Sequence, residues 1–183
     1  MPLPNARGTI SLVVVTERRQ RPRNATNPMK STQWHEVNAA VTHFGAQAGL
    51  DDCSLDERGT ALLTFDDAPV SLMLDEEHHA LLLLSTIGRL PARPETYGWL
   101  LDANLFWADT RGATLAKDAA GGSIILQQSL SAAGLQPEHL EVALERFVTT
   151  VENLRRKLAH WDAVPPPDDG GELAPLMHQM LRA

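Results

Sequence analysis

The chain holds seven histidines, one cysteine and 23 Asp and Glu residues, the side chains from which a metal centre, a nucleophile or an acid–base pair is built. Their spacing builds none of these. His35, His43, His78, His79, His139, His160 and His178 include no HExxH pattern, no pairing with Cys53 at ligand spacing and no carboxylate partner on a common helix turn. His78-His79 enters a strand, where adjacent side chains diverge. Asp66-Asp67 and Asp75-Glu76-Glu77 lack the spacing and the glycine of a calcium loop and read as charged hairpin tips. Gly121-Gly122 precedes no lysine-bearing helix start of the phosphate-binding kind, and no GxSxG element occurs. Cys53, beside Asp52, lacks the cationic neighbours that activate a thiolate. The expectation is a protein that is not an enzyme and needs neither cofactor nor metal.

Composition narrows the alternatives. The 183 residues suit one domain with tails, and a single cysteine fits a reducing compartment. The longest apolar runs, Leu12–Val15 and Ala80–Leu84, are far short of the ~20 residues a membrane span requires, and no signal segment opens the chain. A cytoplasmic protein without membrane contact is expected. Residues 1–30 carry Arg7, Arg18, Arg19, Arg21, Arg23 and Lys30 against Glu17, a balance of +5. The net charge of −7 therefore leaves −12 on the remaining 153 residues. So acidic a body repels phosphate backbones, which argues against nucleic-acid binding. The basic stretch, interrupted by Pro22 and Pro28, reads as a flexible arm, and Met29 stands as an alternative start before the first helix.

That helix spans Ser31–Ala48. Trp34, Val37, Val41, Phe44 and Ala48 recur at helical steps, Ser31 or Thr32 can cap it and Gly49 stops it. Thr9–Thr16 has strand composition without an obvious partner. Three strands follow the helix, Thr60–Phe65, Val70–Leu74 and His79–Thr86, joined by turns of about four residues that predict an antiparallel meander. Leu62, Leu63 and Phe65, Leu72–Leu74 and Leu81–Leu84 place apolar groups on both faces, so both sides of this sheet require cover. A second helix, Glu95–Trp107, carries an inward stripe of Leu100, Ala103, Asn104 and Trp107. Two strands, Ala113–Lys117 and Ser123–Leu130, precede a long amphipathic helix from Pro137 through Leu140, Leu144, Phe147, Val151, Leu154 and Leu158 to Trp161. Pro165–Gly171 breaks it, and Leu173, Leu176, Met177, Met180 and Leu181 give the tail an apolar stripe. The organisation read from the sequence is an arm over 1–30, an α+β domain over 31–162 in the order α-β-β-β-α-β-β-α, and a linker with tail over 163–183.

This pattern resembles the class I type III secretion chaperones, the CesT/SycE-like family of Gram-negative bacteria, from about Ser31 to Trp161. The resemblance is carried by Leu81-Leu82-Leu83-Leu84-Ser85-Thr86-Ile87-Gly88-Arg89-Leu90-Pro91, then Leu100-Leu101-Asp102-Ala103-Asn104-Leu105, then Leu135-Gln136-Pro137-Glu138-His139-Leu140 leading through Phe147-Val148 to Trp161. It implies a cytoplasmic homodimer that binds the extended N-terminal segment of a secreted effector and passes it to the secretion apparatus, with the secretion ATPase as a further partner. The second helix would form the dimer interface through Leu100, Leu101, Asn104 and Leu105, with the Asn104 amide also bonding nearby backbone. Effector side chains would meet Trp34, Val41 and Phe44 on the first helix and Leu63, Phe65, Met73 and Leu83 on the sheet. Residues 1–28 and 163–183 depart from the compact family pattern, and the tail could fill or extend the effector groove. The alternative is a regulatory domain of the same fold that binds a folded cytoplasmic partner.

Overall fold

The computed structural model describes residues 10–12, 31–119 and 122–160. Helix α1 (Thr32–Ala48) begins where the Ser31 Oγ accepts the Trp34 amide at 3.0 Å and ends where Gly49 turns left-handed at φ 73°. There the Leu50 amide reaches back to the Gly45 carbonyl at 2.8 Å, closing the last turn. Both ends are set by local chemistry and fall where the sequence predicts.

The sheet has six strands in the order β1-β2-β3-β4-β6-β5, each pair antiparallel. They are β1 (Ile10–Leu12), β2 (Thr60–Phe65), β3 (Ala68–Asp75), β4 (Ala80–Arg89), β5 (Thr114–Lys117) and β6 (Ser123–Ser131). β3 starts earlier than its apolar core because the β2–β3 turn needs only Asp66 and Asp67, with Phe65 opposite Ala68, and β4 runs on to Arg89 by pairing with β6 as far as Ser123. Asp66 takes the positive φ, 52°. The β3–β4 turn is held by Asp75, whose carboxylate accepts from the His78 amide at 3.1 Å and lies 2.9 Å from the His78 ring; these bonds hold its pKa below the usual carboxylate range. The run Thr9–Thr16, without an evident partner in the sequence, supplies β1, which pairs with β2.

Among the described residues, α1 and the last helix cover one face of the sheet. Helix α3 (Pro137–Ala159) lies across β3 and β4 and against α1. Its Leu140, Leu144, Phe147, Val151 and Leu154 are buried against Leu63, Val70, Leu72, Leu81, Leu83, Ile124 and Leu126. Arg155 anchors its last turns, donating to the Thr86 carbonyl at 2.7 Å and the Asp67 carbonyl at 2.9 Å. A register shift between Thr86 and Gly88 bends β4 at this point.

Helix α2 (Pro94–Asn104) is shorter than its sequence suggests. A 3₁₀ turn over Leu105–Trp107 follows, with Phe106 and Trp107 both at φ 53°, a left-handed backbone that an α-helix cannot continue. Trp107, expected on the inward stripe, consequently lies 59% exposed. Trp161, the linker and the tail stripe from Leu173 to Leu181 lie outside the described residues.

Gly45 is buried on the face of α1 that meets Cys53, and a Cβ there would collide with the Cys53 Cβ. Gly45→Ala is expected to destabilise the domain by about 1–3 kcal/mol, read as a lowered thermal midpoint. An unchanged midpoint would show that the 51–55 loop yields freely.

Candidate partner-binding surfaces

Alternation along each strand decides which side chains a partner can reach. Leu63 and Leu83 are fully buried on the inner face of the sheet, and Val41 on α1 is equally inaccessible. Trp34 and Phe44 are buried too; the Trp34 indole donates to the Asp56 carbonyl at 3.2 Å, and the Phe44 ring tilts against Phe65 at 6.4 Å between centroids. Phe65 is half-buried on the same core. In this structure most of the expected contact set is interior. Trp34, Val41, Phe44, Leu63 and Leu83 seal the space between sheet and helices and present almost no surface to another chain. Of the seven expected contacts, Met73 alone is open, at 38%.

Met73 belongs to the opposite face. It stands directly across from Leu82, while Leu62, Ser71 and Leu84 form a neighbouring cross-strand row. Ile125 faces Thr86 one strand further. Leu62, Leu82, Leu84 and Ile125 are half-buried, so apolar side chains stand on the side away from α1 and α3, interspersed with the exposed Ser71, Thr86, Gln127 and Ser129 that pair with them across the strands. The signal for them was present in Leu81–Leu84, where two residues must face each way. Only the register decides that Leu81 and Leu83 point inward and Leu82 and Leu84 outward.

A second apolar surface lies on α2 and the turn after it. Leu100 and Ala103 are buried, whereas Leu101 is 72% exposed, with Tyr97, Leu105, Phe106 and Trp107 exposed around it. Among the expected interface residues, Leu101 and Leu105 therefore point outward and Leu100 points into the core. The Asn104 side chain has a defined task. Its Oδ1 accepts the Leu115 amide at 2.8 Å and its Nδ2 donates to the Leu115 carbonyl at 3.0 Å. Both partners are on the outer edge of β5, so one carboxamide occupies the position a further strand would take.

Polar chemistry is sparse. Burial raises the Cys53 pKa, and among the described residues no three His, Cys, Asp or Glu side chains are grouped to hold a metal ion. Also among them, no helix is long and apolar enough to cross a membrane. An α+β domain with two outward apolar surfaces and a capped sheet edge is built to meet other protein chains.

Comparison with known proteins places this architecture. Residues 39–155 match the Tir chaperone protein (CesT) family, and the chain belongs to that family. It is 29% identical over 139 residues to the transcriptional anti-antiactivator ExsC of Pseudomonas aeruginosa, covering 75% of this chain and 90% of ExsC. It is 24% identical over 112 residues to the Tir chaperone of Escherichia coli O157:H7, covering 61% of this chain and 72% of that one. The crystal structure of the ExsC–ExsE complex superposes with a TM-score of 0.60 at 28% identity, over 67% of this chain and 93% of the other. The HopA1–SchA chaperone–effector complex shares the fold, with a TM-score of 0.60 at 18% identity over 70% and 99% of the two chains.

Asn104→Ala strands two backbone groups of Leu115, and the expected loss is about 1–3 kcal/mol in denaturant unfolding. Asn104→Asp keeps the acceptor for the Leu115 amide but sets a carboxylate oxygen against the Leu115 carbonyl, so its loss should be at least as large at neutral pH and smaller once acid protonates the carboxyl. Cys53 should react with a thiol reagent at neutral pH only on unfolding; prompt labelling of the native chain would contradict its burial.

Proposed function

We propose that this protein is a type III secretion chaperone that holds the extended N-terminal segment of a secreted effector, without catalysing a reaction. The observation that carries the reading is the set of apolar side chains Leu62, Met73, Leu82, Leu84 and Ile125 that the described helices leave partly exposed on one face of the sheet, in a member of a chaperone family. An extended segment can lay alternate side chains among them without needing a fold of its own. Exposed Leu101 and Leu105 are suited to an isologous contact between two copies of α2, making the working unit a homodimer. The setting is the cytoplasm of a Gram-negative bacterium, with the secretion ATPase receiving the loaded complex.

Similarity to ExsC favours a second reading. In it, the same surfaces serve a regulator whose protein partner controls transcription, as the name anti-antiactivator describes for ExsC. The partner separates the two. Recovery of a tagged full chain from its host under secretion-inducing conditions, followed by truncation of the recovered partner, supports the chaperone if binding resides in the N-terminal segment of a secreted protein. Binding that survives removal of that segment supports a regulator acting on a folded partner.

Leu82→Glu should weaken partner binding at least tenfold while leaving the thermal midpoint nearly unchanged, because it charges a half-buried outer position. Phe44→Asp should instead unfold the domain, since it buries a charge in the core. Leu101→Glu should convert dimer to monomer by light scattering, and an unchanged mass would exclude α2 as the interface.

A further inference from the structure

The two edges of the sheet are closed by unlike devices. At β5 the closure is a side chain from the adjacent helix, the Asn104 carboxamide on Leu115. At β2 it is β1, three residues joined to α1 through residues 13–31. Strand parity shows which groups meet there. Phe65 and Ala68 flank the two-residue turn, so odd-numbered β2 residues bond toward β3 and even-numbered ones toward the edge. Thr60 agrees: its amide and carbonyl face away from β3, to the Asp56 carboxylate and the Asp56 amide at 2.8 and 2.7 Å. Thr64 therefore bonds outward, and its register partner is Ser11. Ser11 is then the β1 residue whose amide points at β2, whereas those of Ile10 and Leu12 point away. The ends of this edge carry Asp66 and Asp67 beyond Phe65, where Arg155 reaches the Asp67 carbonyl, and Asp56, Glu57 and Arg58 before Thr60, a net acidic balance, while residues 1–30 carry a balance of +5.

We propose that β1 is a displaceable self-strand: the chain's own N-terminal segment occupies the β2 edge and competes there with an extended partner segment of the same character, apolar and β-branched with basic flanks. A three-residue pairing is short enough to be exchanged for a longer one. It guards the edge against non-specific pairing while leaving the ladder ready. The inference rests on the reading that this domain binds extended segments, and its test is arranged to fail separately from it.

The full chain is compared with Ser11→Pro, which deletes the donor aimed at Thr64, and with Ile10→Pro, whose lost amide faces away and which an edge strand tolerates. The probe is a fluorescent peptide reproducing residues 7–17. Amide exchange at Thr64 should rise at least tenfold in Ser11→Pro, with Leu115 at the other edge unchanged. Peptide affinity should rise at least tenfold in the same variant, and Ile10→Pro should resemble the parent in both. Equal affinity in all three chains overturns the self-strand while leaving segment binding intact. Absence of binding in all three overturns both. The Thr64 amide itself faces the residue-11 carbonyl, which proline keeps, so its exchange reports release of β1 as a whole; unchanged exchange at Thr64 in Ser11→Pro overturns the claim that β1 is readily displaced.

Discussion

The packing of α3 across β3 and β4 constrains every other surface of the domain. Five of its side chains, Leu140, Leu144, Phe147, Val151 and Leu154, lose essentially all contact with solvent, and each such burial favours the folded state by about 1.5–3 kcal/mol. Because strand side chains alternate, seating those residues on Leu72, Leu81 and Leu83 leaves Met73, Leu82 and Leu84 on the far side. A slip of one residue would invert the two sets. Arg155 and Gly88 fix the position. The guanidinium ties the helix to two separate carbonyls, and a Cβ at Gly88 would come within 2.6 Å of Leu158. The last turns of α3 can therefore rest on the bent end of β4 only where no side chain intervenes.

Helix α2 is held by a different kind of force. It buries little beyond Thr96, Leu100 and Ala103, and two directional hydrogen bonds from Asn104 bring it to β5. Polar anchoring leaves the apolar side chains of this segment free to face outward, which is why Leu101, Leu105, Phe106 and Trp107 are exposed together. The division of labour is clear in physical terms. Core leucines hold the sheet to α3, a carboxamide positions α2, and the remaining apolar area is available to other chains.

Much of this was legible in the sequence where the determinants are local. Ser31 and Gly49 delimit α1 because capping depends on a few neighbouring residues, and the strand order around the charged turns follows from turn chemistry. The family resemblance over Leu81–Pro91 and Leu100–Leu105 located the same architecture, and the amide of Asn104 does bond nearby backbone. The facing of the sheet residues was not legible, because Leu81–Leu84 is apolar at every position and its pattern fits both registers. Trp34, Val41 and Phe44 read equally well as anchor or core, since an apolar stripe carries no mark of what covers it. The end of α2 was hidden because nothing in Leu105-Phe106-Trp107 announces a left-handed backbone. β1 had no visible partner because its pairing spans some fifty intervening residues, beyond any local rule.

The carboxamide lid on Leu115 also limits how copies of this protein can associate through their sheets. A sheet with two open edges can add a copy at each end and grow into a filament, since nothing terminates the series. With the middle of β5 closed by a side chain of its own fold, strand-to-strand contact is favoured at the opposite edge, where β1 is the outermost strand. Two molecules joined along that side have used the pairing edge of both, and the assembly stops at a pair. Capping one edge thus removes one of the two ends from which a sheet could be extended copy by copy.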